Sequence, residues 1–323
     1  MIAWYVKLCI HANMSSKFYY DDITLDRAHH LRMDEDWLSK NLRDKATQII
    51  PVWRNHSLVY NGSSNGNSPA AAILNGDAAA IVRQSAVTLI FLGKEGDVIY
   101  SAADLSHLDN PHSIALPAGT SFEDLRHLAT ALNPIDAGYL AYARALVHWH
   151  QGHRYCGVCG SKTKVGRGGH ERACLNTDCR RVHFPRTDPA VIMLVTHPIE
   201  DKCLLGHNKK FQGLRFSTVA GFVEPGEMLE QAVAREVFEE TNIQVVDVTY
   251  KASQPWPFPA SIMLGFRARA TTTEIICHDE ELTEARWFSR EQVLEMSAEK
   301  EMLPPTNLSI SRWLIDTWLN EKQ

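Results

Sequence analysis

Two cysteine pairs limit the architecture of this 323-residue chain more than any other feature. Cys156-x2-Cys159 is followed, after fourteen residues, by Cys174-x4-Cys179. Each pair fits a tight turn that points both sulfurs at one ion, and four thiolates suit tetrahedral Zn²⁺. Four protein ligands leave no open position for water, so such a centre is structural rather than catalytic. It can clamp a module too small to fold on its own core. The alternative is four unrelated thiols, which the paired spacing argues against. A clustered quartet in a long chain reads as metal-binding rather than as a disulfide scaffold, and it suits a reducing cytoplasm. Cys9, Cys203 and Cys277 read as ordinary small apolar residues.

The quartet divides the sequence into three expected parts: an N-terminal scaffold or dimerisation domain over 1–150, a zinc module over 151–185, and a C-terminal domain over 186–323. In the first part, Leu25–Trp37 has roughly helical spacing, and the NGSSNGNSP stretch of residues 61–69 is a polar loop. Val87–Leu92 and Val98–Tyr100 flank a Gly-Lys-Glu-Gly turn and read as a hairpin. A helix is expected from Asp136, its N-cap, to His150, with Tyr139, Leu140, Ala143, Leu146, Val147 and His150 on one face. In the third part, strands at 190–196, 203–206, 261–270 and 284–288 interleave with a charged helix in 221–241 and a final helix from Ser309. An α/β or α+β sandwich is therefore expected for this part.

No apolar run approaches the roughly 20 residues of a membrane span. Residues 1–13 lack the cationic start of a secretory signal. The net charge of −5 gives no general attraction to nucleic acid, but residues 151–186 hold eight Lys/Arg against two acids. That local patch can meet phosphates, although for duplex DNA it reads as a solvated surface.

Residues 221–243 run GFVEPGEMLEQAVAREVFEETNI. Glu227 is expected to open a helix whose Leu229, Ala232, Val233 and Val237 face a core. Glu236, Glu239 and Glu240 stand three and four residues apart and share one patch. Like charges at that spacing destabilise a bare helix unless a cation sits among them, and all-oxygen ligands select Mg²⁺ or Mn²⁺. Spacing alone leaves open a surface helix with solvated acids. Further on, Ser253-Gln254-Pro255-Trp256-Pro257-Phe258-Pro259-Ala260-Ser261 combines three prolines with two flat apolar faces, which could hold a base or pack on the core.

The segment 221–243 resembles the Nudix box, G-x5-E-x7-REUxEExGU. Gly221, Glu227, Arg235, Glu236, Val237, Glu239, Glu240 and Ile243 match, while Asn242 stands in place of a glycine. That position is expected to take a left-handed backbone, where Asn is the best substitute. The downstream SQPWPFPAS, together with the upstream cysteines, resembles the zinc-ribbon-containing NADH pyrophosphatase family of Nudix hydrolases. LDRAHHLRMDEDW at 25–37 resembles that family's N-terminal region, which would place the start of translation at Met14.

The resemblance implies a Nudix α/β/α sandwich, a small zinc ribbon and an α+β N-terminal domain. It implies hydrolysis of NADH or NAD⁺ to NMNH or NMN and AMP. Glu236, Glu239, Glu240 and Glu281 would hold Mg²⁺ or Mn²⁺; Glu239 would be a ligand or the base, Glu240 catalytic, and Arg235 the group that orients the carboxylates. Ala220, Phe222 and residues Gln254 to Ser261 would line the dinucleotide site, with Phe184 stacking on a base and Ser311 closing the pocket. A homodimer is implied as well. NAD-capped RNA is a second substrate for the same site; ADP-ribose or a dinucleoside polyphosphate is a third. A non-catalytic ribbon protein that senses NAD would show an incomplete acid cluster.

Overall fold

The computed structural model describes residue 18 and residues 23–62, 68–128, 131–210, 213–277, 281–298, 302–304 and 309–321. The start of translation, the segment 1–13 and part of the 61–69 loop lie outside the described residues. Contacts group the chain into two units. One holds residues 188–256 and 261–323 with Phe18, the other residues 20–187 and 257–260.

In the unit of 20–187 and 257–260, a helix α1 (Glu35–Asn41) is capped by Asp34, whose side chain accepts from Trp37 N. Strands β1 (Gln48–Trp53), β2 (His56–Tyr60), β3 (Ala70–Ala71), β4 (Thr88–Glu95), β5 (Val98–Asp104) and β6 (Thr120–Glu123) follow, with α2 (Gly76–Ser85) before β4. The sheet order is β3-β2-β1-β5-β4, with β6 beside β2. The expected hairpin is β4–β5, paired antiparallel. A short α3 (Leu125–Leu128) leads to α4 (Pro134–Gly152).

The cap of α4 differs from the sequence expectation. Asn133, not Asp136, accepts the first-turn amide, taking Asp136 N at 2.9 Å, and Pro134 occupies the first helical position, where its missing N–H is harmless. Asp136 instead accepts from Ala71 N at 2.8 Å. The expected face is buried: Tyr139, Leu140, Ala143, Leu146, Val147 and His150 all lie inside. Three short strands, β7 (Thr163–Gly166), β8 (Glu171–Cys174) and β9 (Val182–His183), form a small antiparallel sheet that carries the cysteines.

The other unit is built on β10 (Asp188–Thr196), β11 (Lys202–Asn208), β12 (Val219–Phe222), β13 (Val245–Trp256), β14 (Ser261–Ala270) and β15 (Leu282–Ser289). Their order is β13-β14-β10-β11-β15, with β12 beside β10. β10 and β14 run parallel; the other pairs are antiparallel. Alternation along β10 sorts its residues between two layers. Val191, Met193 and Val195 pack with Ala232, Val233 and Val237 of α5 (Leu229–Thr241). Ile192 and Leu194 pack with Val293 of α6 (Arg290–Ala298) and with Ile310, Leu314 and Trp318 of α7 (Ile310–Asn320). Phe18 joins this second layer, edge-on to Trp313 at 5.6 Å. Helices on both faces make the α/β/α sandwich. Among the described residues, no helix is long and apolar enough to cross a membrane.

Candidate active site and zinc centre

β12 delivers the chain to a turn at Glu224–Glu227, where Gly226 takes φ +88°, and α5 begins at Leu229, two residues later than expected. Glu227 does not open the helix because its carboxylate is held elsewhere. It accepts from Glu224 N at 3.0 Å and takes both arms of Arg235, Nε at 2.8 Å and Nη2 at 2.9 Å. Arg235 also donates from Nη1 to Glu236 at 2.8 Å and Glu239 at 3.0 Å, and from Nη2 to the Phe222 carbonyl at 2.9 Å. One planar fork therefore gathers three carboxylates and the end of β12. Arg235 beside it holds the Glu227 carboxyl down to about 2.

Glu236 shows the opposite tendency. Burial raises its pKa, the Arg235 guanidinium works against that rise, and the charges of Glu239 and Glu281 add to it. The repulsion expected from the residue spacing is thus present, and a cation would reverse it. The carboxylate of Glu236 also lies where a side chain at Gly221 would begin: a β-carbon there would stand 1.9 Å from its carboxyl carbon. A side chain at 221 would therefore have to displace the carboxylate end of Glu236, while the backbone angle places no demand for glycine.

Glu240 is 4% exposed. It lines a cavity of about 120 Å³ with Ala220, Ser217, Thr218 and Asn208. Ser311, buried on α7, stands behind that wall, with its hydroxyl 2.8 Å from Ser217 Oγ and accepting from Thr218 N at 3.2 Å. Glu281 is exposed, and its backbone carbonyl accepts from Lys209 N. Phe222 is 61% exposed. Asn242 ends α5 at φ 63°, ψ 10°, the left-handed conformation expected of it.

The SQPWPFPAS segment is divided. Gln254 is fully buried and accepts from Ile310 N at 2.8 Å, which seats the start of α7. Ser261 is buried, Pro255 exposed and Trp256 half-buried. Pro257, Phe258, Pro259 and Ala260 group with residues 20–187, as does Phe184, which is 56% exposed after β9. The residues missed by sequence reasoning are Asn208, Ser217 and Thr218, which carry no spacing signal, and Glu227 as an Arg235 partner, for which the box offered one.

The four cysteine sulfurs lie within 4.8 Å of one another, with Cys156–Cys179 at 3.8 Å and Cys159–Cys174 at 3.4 Å. A tetrahedral zinc with bonds of about 2.3 Å sets its sulfurs roughly 3.8 Å apart, so the cage fits the ion. Backbone amides of Val158 and Cys159 lower the Cys156 thiol and that of Ser161 lowers Cys159 to about 6, whereas burial pushes Cys174 up to about 12 and Cys179 is raised as well, so a metal ion is needed to hold all four as thiolates. Among the described residues this quartet is the group whose ligating atoms lie close enough together to hold one ion, while Glu236 and Glu239 each bond Arg235.

Behind the cage, Arg172 donates to Thr163 Oγ1 at 2.7 Å and to His150 Nδ1 at 2.9 Å. His150 Nε2 therefore carries the proton and donates to the Gly169 carbonyl at 2.8 Å. His170 donates to the Phe91 carbonyl at 2.7 Å. Burial depresses both imidazoles to about 4.

Residues 186–314 match the family model of the NUDIX domain, and 152–184 match the NADH pyrophosphatase zinc ribbon domain. Residues 46–149 match the NADH pyrophosphatase-like rudimentary NUDIX domain. The human NAD-capped RNA hydrolase NUDT12 is 34% identical over 93% of this chain and 73% of its own length. The chain belongs to the NADH pyrophosphatase family of Nudix hydrolases. Another similar protein, the NAD-capped RNA hydrolase NudC of Mycobacterium bovis, is 35% identical over 91% of the chain and 92% of its own length. NudC of Stutzerimonas stutzeri is 39% identical over 67% of the chain and 72% of its own length. As a Nudix hydrolase of this family, the protein carries an N-terminal Nudix-like region whose kinship to the catalytic domain the sequence reading missed.

Proposed function

We propose that this enzyme hydrolyses the pyrophosphate of NADH or NAD⁺, releasing NMNH or NMN and AMP. The supporting observation is the Arg235 fork, which gathers Glu227, Glu236 and Glu239 beside the cavity that Glu240 lines. The all-oxygen donors Glu236, Glu239, Glu240 and Glu281 suit Mg²⁺ or Mn²⁺. When bound, such an ion neutralises phosphate oxygens and lowers the pKa of the attacking water. Glu239, with its side chain 52% exposed, accepts the proton as water attacks phosphorus and the bridging P–O bond breaks. Arg235 aims Glu236 and Glu239 through its two Nη1 hydrogen bonds. Ala220, Phe222 and Trp256 border the dinucleotide, the family motif gives Phe258 a ring-facing role, and Zn²⁺ in the cysteine cage holds the ribbon folded.

NAD-capped RNA is the second reading, in which the same bond is cut to leave a 5′-monophosphate. The basic segment 151–186 and the named activity of the relatives support it. Single-stranded ends with stackable bases suit exposed aromatics such as Phe184. We take the working protein to be a homodimer, as the family resemblance implies, in the reducing cytoplasm that the clustered cysteines suit.

The test measures products from NADH and from 5′-NAD RNA with Mn²⁺, for wild type and Glu240→Gln. NMNH and AMP from wild type alone support the reading, and the ratio of rates chooses the substrate. No cleavage of either by wild type overturns it.

A further inference from the structure

Two of the four residues that close the β13–β14 hairpin, Phe258 and Pro259, contact a buried arginine on α4. Arg144 is 6% exposed. Its Nε donates to the Asn55 carbonyl at 3.1 Å, and its Nη1 reaches the Pro259 carbonyl at 3.4 Å. Its Cζ stands 4.9 Å from the centre of the Phe258 ring. All these partners lie within the unit of 20–187 and 257–260. The anchor beneath Arg144 is itself fixed. Asn55 sits at φ 67° in the β1–β2 turn, and its side-chain oxygen lies 3.2 Å from His148 Nδ1, one turn along α4. Arg126 also lies 6.0 Å from the centre of the ring and is paired with Asp124 at 2.5 Å.

We propose that Arg144 is a positioning residue for the substrate loop. Its guanidinium fixes the plane of Phe258 by a cation–π contact and the path of the loop by the Pro259 carbonyl, so that the aromatic face meets a dinucleotide ring already oriented. A buried guanidinium suits this work: it stays charged, its planar fork serves a ring face and two carbonyls together, and desolvation strengthens both contacts. Pre-ordering the loop removes an entropy penalty from binding, so the effect falls on KM more than on kcat. This inference rests on the dinucleotide reading above.

Four variants test it: Arg144→Gln, Arg144→Lys, Phe258→Leu and the double variant Arg144→Gln/Phe258→Leu. Each is checked for melting temperature and zinc content. With NADH and Mn²⁺, Arg144→Gln is expected to raise KM roughly tenfold, the order a desolvated cation–π contact corresponds to, with a smaller change in kcat. Arg144→Lys recovers part of the loss, because an ammonium keeps the charge over the ring without the fork. If Arg144 acts through Phe258, the double variant is no worse than the poorer single variant. Effects that multiply, or a kcat loss at constant KM, overturn the proposal. Should Arg144→Gln fail to fold, Arg144→Lys and Phe258→Leu carry the same comparison.

A second measurement is independent of turnover. With 4-fluorophenylalanine at position 258, the ¹⁹F resonance is expected to move by more than its linewidth in Arg144→Gln and by less in Arg144→Lys. An unmoved resonance overturns the proposal, even if the wild type proves inert toward NADH and the functional reading fails by itself.

Discussion

The carboxylate of Glu236 fills the space where Gly221 has no side chain: a β-carbon at 221 would come within 2.1 Å of all three carboxylate atoms. Gly221 belongs to β12 and Glu236 to α5, so the strand leaves room for a carboxylate that the helix delivers. Gly221→Ala is expected to displace Glu236 and lower kcat roughly 10²-fold, the penalty of a displacement near 1 Å at a reacting centre. Thermal melting should change little, and Mn²⁺ affinity should fall. Calorimetric titration of Mn²⁺ together with steady-state rates checks this; unchanged values would mean the carboxylate has another seat.

Arg235 supplies five hydrogen bonds to three carboxylates and one carbonyl. Arg235→Lys keeps the charge but loses the fork. It is expected to lower stability by about 2 kcal/mol and to depress kcat more strongly than the change in charge alone would require. Urea titration and product formation on the same preparation decide it. A variant as stable and active as wild type would show that any cation suffices.

The two buried imidazoles predict a pH dependence. His150 and His170 ordinarily titrate at 6.5 and are depressed to about 4 in the fold, first by burial. Between those values the unfolded chain binds more protons than the native one, so stability is fully present above pH 6.5 and declines as pH falls toward 4. Urea titrations from pH 7.5 to 5 should show that decline, and His150→Gln should flatten it. A slope unaffected by the substitution would place the acid sensitivity elsewhere.

Asn242 closes α5 at positive φ. Asn242→Ala is expected to cost about 1 kcal/mol because a β-carbon without a compensating polar group is strained there. Asn242→Gly should be neutral or mildly stabilising, with activity retained. Melting temperatures of the two variants settle the order.

Chelation offers a further check. Removing zinc with a strong thiol-competing chelator is expected to unfold the segment 151–185, since it has little apolar core of its own. Amide exchange should rise there first. Protection that survives zinc loss would show a ribbon stable without the ion.

The parts of the fold written in local chemistry were legible. Cysteine spacing predicted a cage that does converge, the final helix starts where expected, with Ser309 as its cap, and the positive φ of Asn242 followed from a glycine position filled by asparagine. Legibility failed where two local signals competed. Asp136 looked like a cap, yet Asn133 with Pro134 behind it was the stronger start, and Asp136 was free to bind Ala71. Glu227 looked like the first residue of a helix because the pull of Arg235 comes from eight residues away. The hydrogen bond of Gln254 to the start of α7, 56 residues later, was also beyond the reach of local signals. Arg144 gave no signal at all, since its partner at Pro259 is 115 positions distant.

Grouping of Pro257 to Ala260 with residues 20–187 bears on any attempt to divide this gene. A cut at residue 187 follows the boundary that the cysteines suggest, but it leaves Arg144 on one fragment and the Pro259 carbonyl and Phe258 ring on the other. Neither fragment is then a complete module. Split-protein reporters, domain swaps and fusions joined at that point would need those four residues grafted back as a short insert, and a permuted chain opened elsewhere would keep them.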